Sequence, residues 1–325
     1  MDVGALIGNL NDPAVLFFFL GVLATLVKSD LEVPPPVTRF LSLYLLMSIG
    51  FKGGAELSGH ATGLWPLLPP VLLSALIPVG VFFLLYKRVG AANAAALGAA
   101  YGSVSAVTFI TAVSFLEKTG ITYSGHMVAG LALMESPAIL TGLMLYQWFG
   151  QKESTALRVP LKQMALEALL NGSVFLILGA MLVGMLAGDT AKAQMAPFTK
   201  DIFKGMLALF MLDMGIVAAR RFDALRKGGL VLVLFALVVP LIFGHLGLVL
   251  AGLMNVAPGD ALLMAILCGS ASYIAVPAAM RSAIPDADPG LYVPLPLAVT
   301  FPLNVLVGIP LYYTMYPWFN QIFNP

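Results

Sequence analysis

Long apolar stretches follow one another along the whole chain, separated by short segments that carry charge, Pro or Gly. A helix needs roughly 20 apolar residues to cross the hydrocarbon core of a bilayer. By this measure the sequence predicts ten spans. Their approximate bounds are 11–27, 37–57, 64–86, 92–117, 124–149, 166–187, 198–219, 228–254, 260–283 and 291–318. We therefore expect an all-α polytopic membrane protein whose two termini lie on the same side.

Composition agrees with this pattern and excludes several classes of function. Of the 325 residues, 60% are hydrophobic and 10% are charged, against roughly 25% charged in an average soluble domain. The surface must therefore face the lipid bilayer. A net charge of +1 leaves no basic surface for a nucleic-acid partner. The sequence contains neither a nucleophile elbow nor a phosphate-binding loop, so we expect no enzyme and no direct use of ATP.

Basic residues predict the orientation, because short cytoplasmic loops collect Lys and Arg. With the N-terminus outside, 12 of the 17 basic residues fall on the cytoplasmic side, namely Lys28, Arg39, Lys87, Arg88, Lys152, Arg158, Lys162, Arg220, Arg221, Arg226, Lys227 and Arg281. The other five are Lys52, Lys118, Lys192, Lys200 and Lys204. The bias predicts a multi-pass protein of the cell membrane with both termini outside.

The two halves of the chain repeat each other at a nearly constant spacing. Gly50 matches Gly215 at an offset of 165, Gly102–Ser105 matches Gly269–Ser272 at 167, and Pro137 matches Pro302 at 165. We expect a first five-helix repeat at 1–150, a short cytoplasmic linker at 151–165 and a second repeat at 166–325. Because five is odd, the second repeat enters the membrane from the opposite side. Inverted repeats of this kind are typical of secondary transporters.

Both halves carry a Gly-Ser motif in the middle of an apolar span, which predicts that helices 4 and 9 are broken there. Gly is a poor interior helix residue and Ser is favoured at N-caps. Two half-helix N-termini would then point their free N–H groups at one small anion near the midplane. The predicted substrate-binding residues are Gly102, Ser103, Val104, Ser105, Gly269, Ser270, Ala271 and Ser272. Alternatively, these small residues only allow helices to pack closely.

Acidic and polar residues inside other spans suggest where a cation binds. Glu135 lies within an apolar span, where an ionised carboxylate needs a partner. A sodium site would combine its carboxylate with Ser136 and, from the second half, Thr300 and Asn304. The alternative is a protonated or Lys-paired Glu135 with a packing role. Asp213 and Lys52 are placed similarly in their spans and would pair with each other, in a possible coupling role.

At these motifs the sequence resembles the sodium-dependent bicarbonate transporters known from cyanobacteria and their bacterial homologues. The resemblance covers nearly the whole chain and rests on three blocks in order. These are Ile49–Gly54, then Gly102–Ser105 with Gly120–Tyr123 and Glu135–Ala138, and finally Ser272–Pro285. It implies a core domain and a gate domain, a homotrimer, sodium-coupled uptake of bicarbonate, and inhibition by a small regulatory protein related to PII.

Two departures from the family's pattern affect these expectations. The long insertion between the halves is reduced here to about residues 150–165, which argues against a PII-like partner. Tyr273 stands where cyanobacterial members have an acidic residue next to the last serine of the second motif, which bears on ion coupling or substrate choice.

The sequence as a whole predicts a symporter that couples Na+ to the import of bicarbonate or a similar small monovalent anion, without an organic cofactor. Three alternatives stay open at this point. The chain would instead carry an organic monocarboxylate, exchange cations or protons at Glu135, or act as a membrane anion sensor or scaffold without transport.

Overall fold

The computed structural model describes residues 11–57, 65–150, 170 and 172–323, which are mainly helical and contain no β-strand. The helices are α1 Pro13–Leu26, α2 Pro35–Leu57, α3 Leu68–Gly102, α4 Ala106–Thr119, α5 His126–Leu133, α6 Glu135–Phe149, α7 Gly172–Ala196, α8 Phe203–Arg220, α9 Phe222–Leu253, α10 Pro258–Gly269, α11 Ala275–Ala283, α12 Pro289–Tyr292, α13 Phe301–Leu303 and α14 Ile309–Phe323. π-Helical turns flank α13 at Leu295–Thr300 and Asn304–Gly308. The predicted linker at 151–165 lies outside the described residues.

The described helices overlap the predicted apolar segments, but several boundaries differ from those predicted. The spans predicted at 64–86 and 92–117 meet in α3, which changes direction at Gly90, where φ is 80° and ψ is 166°. Only glycine adopts that conformation readily. The span predicted at 124–149 is divided at Met134 into α5 and α6.

Five helical runs of the described residues are long and apolar enough to cross a membrane, judged by length and composition. They are Trp65–Thr119, which includes a break, His126–Phe149, Ala191–Arg220, Gly228–Leu253 and Pro289–Phe323. Large apolar side chains remain exposed on the outside of the fold, among them Leu76, Leu186 and Leu230 at 62%, 78% and 72%. A helical protein with such a surface is suited to a lipid environment.

The helices pack into two bodies, and each body takes helices from both halves of the sequence. In the first, α1 crosses α8 and α2 crosses α7; we call these four helices the four-helix body. In the second, α3 packs on α6 and α9 packs on α10 and α14; α3–α6 together with α9–α14 form what we call the broken-helix body. Contacts between the bodies are fewer, and α5 makes many of them, against α2 and α7.

Glycines allow the close crossings within the four-helix body. A Cβ atom on Gly215 would overlap the carbonyl of Phe18 on α1, and one on Gly54 would overlap the carbonyl of Met181 on α7. Backbones that approach this closely gain dispersion contacts along the crossing, which is how helices associate within lipid. The four-helix body is therefore tightly packed internally. One equally close approach lies at its boundary with the other body, where a Cβ on Gly125 would overlap the Gly53 carbonyl of α2.

Candidate functional site

Both predicted helix breaks are present in the structure, at the centre of the broken-helix body. α3 ends at Gly102 and α4 begins at Ala106, while α10 ends at Gly269 and α11 begins at Ala275. Ser103 and Ser270 are extended, with ψ of −177° and 174°. At each break the glycine lies against a proline of a neighbouring segment of helix. A Cβ on Gly102 would lie 2.5 Å from the Pro78 ring, and one on Gly269 would lie 2.8 Å from the Pro240 carbonyl oxygen.

The two breaks are hydrogen-bonded to each other. The Ser105 amide donates to Ser270 Oγ at 3.0 Å, and the Ser272 amide donates to the Ala100 carbonyl oxygen at 2.8 Å. Each break thus satisfies a backbone group of the other, at a depth where an unpaired group is costly. These bonds fix the starting points of α4 and α11 relative to one another.

A serine side chain accepts a hydrogen bond from the first turn of each new helix. Ser105 is the N-cap of α4, and its Oγ accepts from the Thr108 amide at 3.2 Å. Ser272 stands two residues before Ile274, the N-cap of α11, and its Oγ accepts from the Val276 amide at 3.3 Å. The hydroxyl protons of both serines remain available to a ligand. So do the amides of the first helical residues, such as Ala106 and Val107, because the first turn of a helix has no intrahelical acceptor.

A cavity lies in front of these helix N-termini, between the two bodies. It has about 30 Å³ of space for the centres of water molecules, which is room for roughly two or three water-sized groups. The broken-helix body lines it with Val104, Ser105, Ala106, Val107, Ile110, Leu131, Glu135, Ser272, Tyr273, Ile274 and Ala275. The four-helix body contributes Ser42, Leu45, Leu46, Ser173, Ile177 and Phe210.

Three of the eight predicted anion-binding residues line this cavity: Val104, Ser105 and Ser272. The other five support the breaks instead of lining the cavity. Gly102 and Gly269 end their helices, and Ser270 holds the Ser105 amide. Ser103 and Ala271 are buried beside them.

Glu135 reaches the same cavity from the junction of α5 and α6. Its side chain is 6% exposed, and Oε1 has no hydrogen-bond partner within the described residues. The neighbouring Ser136 Oγ is likewise buried without a partner there. Among the residues that line the cavity, two have ionisable side chains: Glu135 with its carboxylate and Tyr273 with its phenol.

Thr300 and Asn304, the other two predicted sodium ligands, do not line the cavity. Thr300 Oγ1 donates to the Ala236 carbonyl oxygen at 2.8 Å and lies 2.9 Å from Tyr101 Oη. Asn304 Nδ2 donates to the Gly269 carbonyl oxygen at 2.8 Å. Asn304 therefore holds the C-terminal end of α10, the last turn before the second break. No three His, Cys, Asp or Glu side chains cluster within the described part of the chain.

The predicted pairing of Lys52 with Asp213 is wrong. Lys52 Nζ lies 2.8 Å from Glu117 Oε1, and Asp213 Oδ2 accepts from Thr38 Oγ1 at 2.6 Å. Thr38 and Lys52 stand 14 positions apart on α2, which is roughly 21 Å along a helix. Asp213 on α8 lies beside the beginning of α2, and Lys52 lies near its end, so the two charges do not meet.

The sequence did not reveal two ion pairs that join the bodies. Glu117 and Lys118 lie in the last turn of α4, in the broken-helix body. Glu117 pairs with Lys52 of the four-helix body, and Lys118 Nζ lies 3.6 Å from Asp12 Oδ2 at the start of α1. The helix that begins at the cavity is thus attached at its far end to the other body.

Tyr273, singled out in the sequence as a departure from the family's pattern, lies at the cavity. Its ring is 7% exposed and packs 5.7 Å from the Phe301 ring, centroid to centroid. Tyr273 Oη makes no hydrogen bond of standard geometry among the described residues, although the Ser105 hydroxyl lies close enough to interact with it.

Comparison with known families gives one informative match. Residues 13–317 match the sequence model of the Na+-dependent bicarbonate transporter superfamily. No curated protein matches the chain significantly.

Proposed function

Because the chain belongs to the Na+-dependent bicarbonate transporter superfamily, we propose that it is a symporter that imports bicarbonate, or a similar small monovalent anion, together with Na+. The observation that carries this proposal is the cavity between the two bodies, onto which the N-termini of two broken helices open. An anion held there touches both bodies, so movement of one body against the other exposes it to either side in turn.

The anion site consists of the backbone ends of α4 and α11 with the hydroxyls of Ser105 and Ser272. Helix N-termini carry a partial positive charge and free N–H groups, which favour an anion. A binding site of this kind needs no Lys or Arg, and none lines the cavity. Because the site has no fully charged basic side chain, it binds a single anion weakly enough to release it, as a transport cycle requires.

Sodium binds close to the anion, with Glu135 as its first ligand and Ser136 next to it. Both have a buried oxygen without a partner in the described residues, and oxygen atoms are what Na+ prefers as ligands. The positive ion also offsets the repulsion between the Glu135 carboxylate and the substrate. Asn304 holds the second helix break through the Gly269 carbonyl oxygen, and Thr300 joins α9 to Tyr101 beside the first break.

This assignment of Glu135 predicts that Glu135→Gln raises the sodium concentration needed for half-maximal uptake, by about tenfold or more, because a neutral amide is a weaker ligand for a cation. The midpoint of thermal unfolding should change less than the sodium dependence does. Uptake measured over a sodium series gives the answer, and an unchanged sodium dependence removes Glu135 from the site.

We further propose that the ten spans form two inverted five-helix repeats, with broken helices at the fourth and ninth spans. Equivalent bonds occur in the two halves. The Ser124 amide donates to Asp260 Oδ1 at 2.6 Å, and the Asp288 amide donates to Asn93 Oδ1 at 2.7 Å. Asn93 and Asp260 differ by 167 positions, the offset that relates the two Gly-Ser motifs. The reciprocal bonds between the breaks support the same relation.

In this scheme the broken-helix body is the core domain and the four-helix body is the gate domain. Transport requires that the two bodies move relative to each other. The contacts between the bodies are fewer than those within each body, which supports such a movement. The ion pairs Lys52–Glu117 and Asp12–Lys118 form in one conformation of the transport cycle and must separate in the other.

The proposed membrane is the cell membrane, with both termini outside. A cysteine at Asn11 should then react with an impermeant thiol reagent added to intact cells, in a Cys268→Ser background that removes the chain's one cysteine. A cysteine at Ser154 in the linker should react only after the membrane is opened. Labelling of Ser154 in intact cells would reverse the proposed orientation.

A homotrimer follows from the family resemblance, and light scattering of the detergent-solubilised protein tests it. The linker that would meet a PII-like regulator lies outside the described residues. Its shortness favours a transporter without such a partner, which a pull-down with a PII-like protein would contradict.

Uptake of labelled bicarbonate by cells that produce the protein, with sodium or with potassium in the medium, tests the function. We expect uptake in sodium only, with no competition from organic monocarboxylates. Competition by them would favour a monocarboxylate carrier. Binding without uptake would favour the sensor, and uptake driven by protons in potassium medium would favour proton coupling.

A further inference from the structure

Two buried polar groups at the cavity have opposite hydrogen-bonding abilities. Glu135 Oε1 accepts, and Tyr273 Oη has a proton to donate. Both side chains line the cavity and are more than nine-tenths buried, at 6% and 7% exposed. Glu135 Oε1 has no partner within the described residues. Tyr273 Oη makes no hydrogen bond of standard geometry there, although the Ser105 hydroxyl lies close enough to interact with it. Glu135 has two carboxylate oxygens, so one can bind Na+ while the other accepts a hydrogen bond. Because buried polar groups are normally satisfied, an anion that pairs with both Glu135 and Tyr273 must offer one donor and one acceptor.

The negative charge at the cavity further restricts which anions can bind there. Glu135 brings a negative charge, and none of the lining residues is Lys, Arg or His. An ordinary anion against that carboxylate is repelled. An anion with an O–H of its own instead donates a charge-assisted hydrogen bond to the carboxylate, which is among the strong hydrogen bonds in proteins.

We propose that Glu135 and Tyr273 select a singly protonated oxyanion. Glu135 accepts the O–H of bicarbonate, Tyr273 donates to one of its unprotonated oxygens, and the amides and serine hydroxyls at the two helix N-termini take the remaining negative charge. Nitrate has the same planar shape and charge as bicarbonate but no O–H. It would place an unprotonated oxygen against the Glu135 carboxylate, which repels it. Formate and acetate ions fail for the same reason, and carbonate lacks the proton and carries a second charge.

This inference rests on the proposed function and specifies the substrate class of the same site. Sodium beside Glu135 does not replace the selection step. Its charge offsets the repulsion of nitrate and of bicarbonate alike, so it cannot distinguish them. Only the hydrogen bond from the anion to the carboxylate depends on the proton, and a site built around such a bond strongly rejects an analogue that lacks it.

Binding of labelled bicarbonate to the purified protein, in competition with nitrate at a sodium concentration that saturates each variant, tests the proposal. Wild-type protein should prefer bicarbonate strongly. In Glu135→Gln the side-chain amide offers an N–H to nitrate, so the ratio of nitrate to bicarbonate affinity should rise by about tenfold or more. Tyr273→Phe should weaken both anions by a similar factor, about tenfold, because both present an acceptor oxygen to the lost hydroxyl.

Two further variants keep the test decisive. Glu56→Gln changes a carboxylate that pairs with Lys192 on the exposed surface, and it should leave the affinity ratio at the wild-type value. Glu135→Asp keeps the charge but draws the carboxylate back, so bicarbonate should weaken while nitrate stays excluded. If Glu135→Gln does not fold, the ratio of nitrate to bicarbonate affinity in Glu135→Asp and in wild-type protein tests the proposal.

The proposal is overturned if wild-type protein binds nitrate as tightly as bicarbonate. It is also overturned if folded Glu135→Gln keeps the wild-type ratio, or if Glu135→Asp admits nitrate. Failure of the proposed function looks different, since wild-type protein would then bind no bicarbonate in the presence of sodium, or would bind it without any sodium-driven uptake.

Discussion

A cross-link between cysteines that replace Lys52 and Glu117 is expected to abolish bicarbonate uptake, and a reducing agent is expected to restore it. The two side chains meet across the boundary between the bodies, with Nζ and Oε1 2.8 Å apart. A short, reducible bis-thiol reagent would bridge them and prevent the bodies from moving apart. The double variant should transport before cross-linking, because a partly exposed ion pair contributes about 1 kcal/mol or less.

The matched control is a cross-link within one body. Glu56 on α2 and Lys192 on α7 also form an ion pair, and both belong to the four-helix body. Cysteines there, linked by the same reagent in the same Cys268→Ser background, should leave uptake unchanged. Normal uptake by the protein linked between positions 52 and 117 would show that the bodies do not move against each other there.

Aspartate in place of Ser105 or Ser272 is expected to abolish uptake while the protein still folds. Asp is as good an N-cap as Ser, so α4 should keep its cap at position 105. At position 272 an aspartate oxygen can still accept from the Val276 amide, as Ser272 Oγ does. The new carboxylate would stand where the substrate anion binds, and in a buried cavity that repulsion exceeds the loss of any one hydrogen bond.

Asparagine at the same positions separates charge from size. Asn caps helices as well as Asp does and is neutral, so Ser105→Asn should retain uptake with weakened affinity. Ser105→Ala removes a hydroxyl whose bond to a charged ligand contributes about 1.5–3 kcal/mol, so affinity should fall roughly ten- to a hundredfold. Uptake by the aspartate variants at the rate of the asparagine variants would mean that the broken helices do not hold the anion.

The helix breaks were predictable because their cause is local. Gly102 and Gly269 favour the end of a helix, and Ser105 and Ser272 favour the beginning of the next. The structure places both breaks where the sequence indicates. The repeat in the sequence also suggested that the two motifs face each other, and the bond from the Ser105 amide to Ser270 Oγ joins them.

The partners of the charged and polar side chains were not predictable, because they depend on how the two bodies pack. Lys52 and Asp213 occupy similar positions along their own spans, yet they lie near opposite ends of α2 and have different partners. Asn304 carries both an acceptor oxygen and a donor nitrogen, and no sequence pattern shows that the nitrogen donates to the Gly269 carbonyl oxygen. The path of α3 through Gly90 is a third case, since a glycine between two apolar runs is compatible with a loop or with a bend.

Accumulation of labelled bicarbonate in proteoliposomes that contain only this protein tests the central claim most directly. With an inward sodium gradient, the account predicts that bicarbonate rises above its external concentration, that the accumulated label is lost when an ionophore collapses the gradient, and that potassium does not replace sodium. Equilibration of bicarbonate to the external level whether or not a sodium gradient is present would contradict sodium-coupled transport.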